Sequence, residues 1–171
     1  MAKLRPGRCY RKLERPYTRV SKRKPSKDYV KGAPPSRITQ FEMGTKRKYD
    51  SVVYLISKDS CQVRHNALEA ARVSIVKHME KHVKEFFIRI RPYPHHVLRE
   101  NPLATGAGAD RYQKGMRLAF GKPIGRAAQI DKGQIIAEVH VDEGFIKVAK
   151  EALKKAAYKL PMPCRIEIKR S

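Results

Sequence analysis

The strongest constraint on this chain is its positive charge, which any fold has to accommodate. The sequence carries 39 Lys and Arg against 16 Asp and Glu, a formal net charge of +23 on 171 residues. Such a charge repels itself in a compact body, so we expect a polyanionic partner to neutralise it. Apolar residues still make up 41% of the chain, enough for a chain of this length to bury a core. The sequence therefore predicts a folded domain with nucleic acid as its first candidate partner.

Membrane, secreted and metal-stapled proteins are disfavoured by the same sequence. The longest apolar run, Val52–Ile56, is far shorter than the roughly 20 residues of a membrane-spanning helix. Residues 1–10 lack the apolar stretch of a secretory signal, so we expect a cytoplasmic protein that does not bind membranes. The chain has an odd number of cysteines, and no two of them form a Cys-x-x-Cys pair. The three, Cys9, Cys61 and Cys164, therefore argue against a disulfide framework or a zinc site.

The charge is concentrated at the N-terminus. Residues 1–50 contain 16 Lys and Arg and 4 Asp and Glu, a net of +12, together with five prolines that disfavour helix. We predict an extended basic arm and a strand over 1–50, leading into a single domain over 51–171. Tyrosines interleaved with basic residues suit RNA, because rings stack on unpaired bases while cations bind phosphates. A solvated, disordered tail is the alternative. The residues of this segment predicted to bind RNA are Arg5, Arg8, Tyr10, Arg11, Lys12, Arg15, Tyr17, Arg19, Lys22, Arg23, Lys24, Lys27, Lys46, Arg47 and Lys48.

Two amphipathic helices are predicted in the domain. The first follows possible N-caps at 57–60, has Cys61 at its start and carries an apolar stripe. The second begins after Asp142 as N-cap and stops before Pro161. The stripe of the first helix is Ala67, Leu68, Ala71, Ile75 and Met79, and that of the second is Phe145, Ala149, Ala152, Leu153 and Ala156.

Alternating apolar residues predict the strands. Val52–Ile56 reads as a buried strand, and Gln134–Val141 alternates with period two. The other strands place Phe86, Ile88 and Ile90, and then Ile166 and Ile168, toward the core. Strands and helices mixed irregularly predict an α+β fold, with two helices packed on a mainly antiparallel sheet as an α/β sandwich.

Further basic residues are predicted to bind RNA within the domain. Arg89 and Arg91 share the outward face of a strand, roughly 7 Å apart, where they suit neighbouring phosphates. An ordinary solvated strand face is the alternative. Arg117, Lys122 and Arg126 lie in a glycine-punctuated stretch that would let backbone approach a sugar-phosphate chain.

No motif in the sequence requires an enzyme or a cofactor. Gly106 and Gly108 do not belong to a Walker or Gly-x-Gly-x-x-Gly pattern. His78 and His82 lack the His-Glu-x-x-His spacing. The pair His95 and His96 suits one packing contact and one RNA contact, whereas Cys61 and Cys164 suit the core.

Several motifs in order resemble the large-subunit ribosomal protein family called L-ten-e in archaea and eukaryotes and L-sixteen in bacteria. The motifs are Arg8-Cys9-Tyr10-Arg11, Ala67-Leu68-Glu69-Ala70-Ala71-Arg72, Ile88-Arg89-Ile90-Arg91-Pro92-Tyr93-Pro94-His95-His96-Val97, Gly106-Ala107-Gly108-Ala109-Asp110-Arg111 and Gly115-Met116-Arg117-Leu118-Ala119-Phe120-Gly121-Lys122-Pro123. The resemblance spans nearly the whole chain. The ending at Ser171, without the extension usual in eukaryotic members, favours an archaeal member.

The resemblance implies a non-enzymatic structural protein of the large ribosomal subunit. Its partners would be the large rRNA near the central protuberance, the nearby 5S rRNA, neighbouring ribosomal proteins and A-site tRNA. The loop 101–115, which its small residues predict to be mobile, would correspond to the family's tRNA-facing loop. Leu103-Ala104-Thr105 departs from the cysteine-containing tip of eukaryotic members, so contacts at the tip are not carried over. The loop residues expected to face tRNA are Asn101, Gly106, Gly108, Asp110, Arg111 and Lys114.

Two other classes of function remain compatible with the residues. A free nucleic-acid-binding regulator suits the charge equally well, and differs from a ribosomal protein by being scarce and mostly unbound. An RNA-modifying enzyme would need His95, His96 or Asp110 in a catalytic site, and would show turnover on RNA.

Overall fold

The computed structural model describes residues 5–18 and 30–170, which form two antiparallel sheets and three helices. The strands are β1 (Glu42–Gly44), β2 (Ser51–Ser57), β3 (Cys61–Arg64), β4 (Phe87–Ile90), β5 (His96–Glu100), β6 (Lys122–Ile130), β7 (Ile135–Val141) and β8 (Cys164–Arg170). The helices are α1 (His65–His82), α2 (Ala109–Tyr112) and α3 (Ile146–Ala157). The predicted α+β class is confirmed, with two sheets instead of one.

The larger sheet has five strands in the order β1-β4-β7-β2-β8. Its central register places Val53 opposite both Val139 and Ile168, and Ile88 opposite Val139. Because period-two alternation sends these side chains to one face, that face is apolar and is covered by α3. The smaller sheet has the order β3-β6-β5 and lies beside α1.

The two long helices join the sheets through one core. Leu68, Ala71, Ile75 and Met79 of α1 are buried, as the predicted stripe requires. The matching residues of α3 are Ala149, Ala152, Leu153 and Ala156. Small alanines let the two helices approach closely, so α1 packs on α3 while each helix also contacts a sheet. Within the described ranges, no helix is long and apolar enough to cross a membrane.

The predicted start of the first helix is wrong. Cys61 lies in β3, and α1 begins at His65 without a side-chain cap. Ser57 and Ser60 instead form hydrogen bonds in the turn between β2 and β3. The Ser57 hydroxyl donates to the carbonyl of Asp59, and the Ser60 hydroxyl accepts from the N–H of Lys132. A four-residue run is too short for periodicity to separate strand from helix.

Two residues predicted to be buried are partly exposed instead, although Ile168 lies on the same face of the sheet as Val53. Phe145 and Ile168 are each 40% exposed. Phe145 belongs to a 3-10 turn that precedes α3, and Ile168 lies on β8, an edge strand of the larger sheet. Asp142 precedes this turn but makes no side-chain cap, because its carboxylate pairs with Arg47 at 2.6 Å.

The strand β6 is the principal element that the sequence pattern did not show. The sequence indicates only a basic, glycine-punctuated stretch over residues 115–123 together with Arg126, whereas residues 122–130 form the central strand of the smaller sheet. Gly125 lies against the ring of His65, where a Cβ atom would be 3.6 Å from Nε2. Lys122 and Arg126 are therefore held on a strand.

Candidate nucleic-acid interface

The described part of the N-terminal arm lies along the smaller sheet and is bonded to it through its backbone. The Gln62 N–H donates to the carbonyl of Arg11 at 2.9 Å, and the Gln62 side chain donates to that of Tyr10 at 3.0 Å. Nε2 of Gln129 donates to the carbonyl of Glu14 at 2.6 Å. Since backbone groups make these contacts, the basic side chains of the arm remain available to solvent.

A second anchor holds the far end of this arm segment. The Tyr17 N–H donates to Nδ1 of His96 at 2.7 Å, and the Val97 N–H donates to the carbonyl of Tyr17 at 3.0 Å. His96 is buried, and burial lowers its pKa, with the guanidinium of Arg99 adding to the effect and the carboxylate of Glu14 opposing it. His96 is therefore neutral at pH 7 and accepts at Nδ1.

This anchor predicts loss of stability in acid. Burial lowers the pKa of His65, His78, His96 and His140 below the ordinary value. The unfolded chain therefore binds more protons, and the free energy of unfolding falls as the pH drops below about 6.5. Urea unfolding at pH 7.5 and pH 5.5 measures this. The protection of the Tyr17 amide against hydrogen exchange, relative to the intrinsic rate at each pH, should fall over the same range, because a protonated Nδ1 cannot accept its N–H. A protection factor that does not change with pH would contradict the assignment of His96.

The basic side chains of the described arm, which are predicted to bind RNA, lie on the surface of the protein. Four of them are exposed, and Arg5 is also exposed but pairs with Glu100, which raises the pKa of the guanidinium. The four are Arg8, Arg11, Lys12 and Arg15. The predicted RNA-binding residues Arg19, Lys22, Arg23, Lys24 and Lys27 lie outside the described residues.

The arm tyrosines are already in contact with arginines. The guanidinium of Arg64 lies 5.3 Å from the ring centre of Tyr10, and that of Arg99 lies 4.4 Å from the ring of Tyr17. Burial, with Glu100 next, raises the pKa of Tyr10. Cation–π contacts of this kind hold a ring in one orientation. Each ring and its arginine therefore hold one another in place.

Arg89 and Arg91 project outward from β4 and its end, as predicted, but they share a carboxylate. Arg91 donates two hydrogen bonds to Oε2 of Glu138, at 3.0 and 2.8 Å. Arg89 lies 3.9 Å from Oε1 of Glu138 and 3.4 Å from Glu42. Glu138 is buried, so its charge is stabilised by these partners. Part of the positive charge of this pair is neutralised within the protein.

The cluster at 46–48 is paired in a similar way. Lys46 contacts Glu42 at 2.5 Å, and Arg47 contacts Glu85 at 3.0 Å while it lies over the ring of Tyr49. Lys48 is exposed. Exposed ion pairs contribute little to stability because solvent screens them, so a phosphate can replace the carboxylate at small cost.

A groove at the start of α1 gathers four arginines. It has a volume of about 870 Å³ and is lined by Arg5, Arg37, Arg64, His65 and Arg126, among others. Arg126 donates from Nε to the carbonyl of Pro34 at 2.9 Å. Burial first, and then the guanidinium groups of Arg37, Arg126 and Arg64, lower the pKa of His65. Arg37 and Arg64 are not among the predicted RNA-binding residues, because no local sequence pattern distinguishes them from other surface arginines.

The loop between β5 and β6 folds back on itself. The Ala104 N–H donates to Oε1 of Gln113 at 2.6 Å, and Nε2 of Gln113 donates to the Ala104 carbonyl at 2.8 Å. Gly108, with φ of 77°, begins the short helix α2. The predicted tRNA-facing residues lie here, with Asp110, Arg111 and Lys114 exposed. Arg117 lies on the return segment, also exposed.

Arg99 and Phe120 form a contact at the base of this loop that the sequence did not indicate. The guanidinium of Arg99 lies 4.0 Å from the ring centre of Phe120, on the side chain that also contacts Tyr17. The rings of Tyr17 and Phe120 meet edge to face at 5.8 Å. One residue each from the arm, β5 and the loop therefore meet at this point.

The histidines do not form a metal centre. Within the described ranges, no three His, Cys, Asp or Glu side chains are grouped to hold a metal ion. His78 and His82 contact each other at 4.8 Å between ring centres, and Nδ1 of His78 lies 3.0 Å from Nζ of Lys155. His95 is exposed against Tyr93 while His96 is buried, which agrees with the opposite orientations predicted for this pair.

A comparison with known families adds to this geometry. The model of the family described as Ribosomal protein L16p/L10e matches residues 17–167. The chain belongs to the L16p/L10e family. The matched range includes the second arm anchor, both sheets and the loop.

Archaeal members of the L16p/L10e family are similar over nearly the whole chain. The large ribosomal subunit protein uL16 of Caldivirga maquilingensis is 47% identical, covering 98% of this chain and 95% of the relative. The protein of the same name from Staphylothermus marinus is 49% identical, covering 97% of this chain and 94% of the relative. The protein of the same name from Archaeoglobus fulgidus is 43% identical, covering 97% of this chain and 93% of the relative. The resemblance to this family inferred from sequence motifs is confirmed.

Proposed function

We propose that this chain is a structural constituent of the archaeal large ribosomal subunit, bound to rRNA in the cytoplasmic ribosome. Membership of the L16p/L10e family over residues 17–167 carries this proposal. The role is non-enzymatic, and neighbouring ribosomal proteins are further partners.

The charge distribution supports rRNA as the direct partner. Exposed Arg8, Arg11, Lys12 and Arg15 extend along a backbone that is itself anchored to the smaller sheet. Such a row of cations neutralises successive phosphates and releases counterions, which supplies sequence-independent affinity. Specific placement then comes from the shape of the anchored surface and from contacts with unpaired bases.

The site on the subunit is a finer part of the same proposal. The protein binds near the central protuberance and the 5S rRNA, with loop 101–115 directed toward A-site tRNA. The exposed cations Arg111 and Lys114 beside the short helix α2 support a role for this loop in contacting a phosphate backbone.

Sedimentation after a high-salt wash tests the ribosomal role. We expect one copy of the protein per large subunit to remain in the subunit peak of a sucrose gradient, because shape-specific contacts survive salt that removes non-specific binding. Release to the top of the gradient, or spread over all nucleic acid, would support a free nucleic-acid-binding regulator instead.

Replacing Arg111 and Lys114 together with alanine tests the loop. Subunit incorporation should be unchanged, whereas aminoacyl-tRNA accommodation should slow by about tenfold, equivalent to roughly 1.4 kcal/mol of lost charge-assisted contacts. Rapid-mixing kinetics with fluorescent tRNA measures the rate. The matched control replaces Lys150 and Lys154, exposed residues of α3. Equal rates in both double variants would remove the loop from tRNA positioning.

A further inference from the structure

A cleft beside the arm is shaped to receive a ligand. It has a volume of about 430 Å³, and its lining includes Tyr10, Lys12, Gln62, Arg99 and Phe120. Pockets that bind small ligands measure about 300–1,000 Å³, so this cleft has room for a single nucleotide. Four separate parts of the chain form its walls: the arm, β3, β5 and the loop between β5 and β6.

The lining of the cleft includes an aromatic ring, that of Phe120, which is exposed to solvent. Phe120 is 70% exposed although its ring contacts both Arg99 and Tyr17. An exposed aromatic ring on a fixed support, with a guanidinium group beside it, is the arrangement on which an unpaired base stacks. The neighbouring Gly121 packs against the backbone of Glu100 so closely that a Cβ atom would lie 2.5 Å from the Glu100 carbonyl carbon. The ring is therefore placed in position before any ligand arrives.

The charge beside the ring favours a phosphate. Within residues 5–18 and 30–170, Arg99 makes cation–π contacts with Tyr17 and Phe120 and has no ion pair with a carboxylate. Lys12 and Glu14 line the same cleft and are exposed, so together with Arg99 the lining carries two cations and one carboxylate. A base with a flat π face and an attached phosphate matches this combination of ring and cations.

We propose that this cleft binds one unstacked nucleotide of an RNA strand, with its base on Phe120 and its phosphate beside Arg99 and Lys12. This inference rests on the proposed function in rRNA binding, and it assigns a position and a binding mode that family membership does not. The ring of Tyr17 meets Phe120 edge to face and supports it, so the base stacks on Phe120. Arg99 contacts both rings and thereby connects the bound nucleotide to Tyr17 of the arm.

Fluorescence of 2-aminopurine tests the stacking directly. The probe is a single-stranded RNA decamer with one central 2-aminopurine, titrated with the full-length protein in the presence of unlabelled duplex competitor. We expect binding to quench the fluorescence, since stacking on an aromatic ring quenches this base. Phe120→Ala should abolish the quench and weaken binding by about tenfold, whereas Phe120→Tyr should retain both.

Tyr112→Ala is the matched control. Tyr112 is 87% exposed, lies in α2 and is not among the residues that line the cleft, so its loss should change neither quench nor affinity. Circular dichroism checks that each variant is folded. A Phe120→Ala protein with wild-type affinity and quench, or a wild-type protein that does not quench, would overturn the proposal.

Adenosine monophosphate distinguishes the two sources of a nucleotide. Binding of the monophosphate as tight as that of the decamer, and equally dependent on Phe120, would overturn the assignment to an RNA strand in favour of a free nucleotide. The sedimentation experiment separates this inference from the proposed function. Salt-resistant retention in subunits without any quench would reject only the nucleotide cleft, whereas release from subunits would reject the ribosomal role itself.

Discussion

Replacing Gly121 by alanine should destabilise the base of the loop and displace Phe120. The added methyl group would lie 2.5 to 2.8 Å from the carbonyl carbon, oxygen and nitrogen of Glu100. These are backbone atoms of β5, so the chain cannot relieve the contact by rotating a side chain. We expect a loss of about 1–3 kcal/mol in the free energy of unfolding, because overpacking at a close backbone contact costs this much.

The same substitution should loosen the pairing of Glu100 with Lys122, where β5 meets β6. Urea unfolding measures the stability, and hydrogen exchange over residues 118–124 measures the local opening. Gly144→Ala is the matched control, since its Cβ would meet nothing within 4 Å and its φ is not positive. Equal stability and exchange in both variants would show that the approach of Gly121 to β5 is not tight.

Replacing Ile75 by alanine should have the largest effect on stability. Ile75 is fully buried on α1, in the core that also contains Met79 and Leu153. Removing its side chain leaves a cavity between well-packed elements, which costs about 2–5 kcal/mol. Because α1 contacts both α3 and the strands β3 and β6, the loss should extend to the sheet that carries the arm.

Chemical denaturation gives the size of this effect. The matched control is Lys77→Ala on the exposed face of the same helix, for which we expect a change within about 0.5 kcal/mol. Tyr17 exchange in the Ile75→Ala protein reports whether the arm opens together with the core. A change below about 1 kcal/mol would contradict the packing of α1 described above.

The agreement between sequence and structure is strongest where a residue's position depends on local periodicity. Leu68, Ile75 and Met79 recur at the spacing of a helix, and Ile88 and Ile90 at that of a strand, so each set is buried as predicted. The element β3 was assigned to a helix because its four residues carry too little periodicity. The strand β6 was missed because glycine and proline interrupt its start, and only its pairing with β3 and β5 supplies the hydrogen bonds that define it.

The sequence predicts the exposure of the basic side chains better than their pairing, for a physical reason. Exposed Arg8, Arg11 and Lys12 follow from the cost of burying charge, which sequence reveals. Sequence does not reveal that Arg91 pairs with Glu138 or that Arg5 pairs with Glu100, because these partners are distant in the chain. The role of each predicted cation in RNA binding remains a prediction.

By itself, the sequence determined the strongly positive charge, the family, the α+β class and the buried faces of the two long helices. Composition and short-range spacing are enough for these properties. Only the tertiary structure decided which strands form the second sheet, which arginines are paired with carboxylates, and where Tyr17, Arg99 and Phe120 meet. These properties depend on distances between residues far apart in the chain, which packing of the whole core sets and local periodicity does not encode.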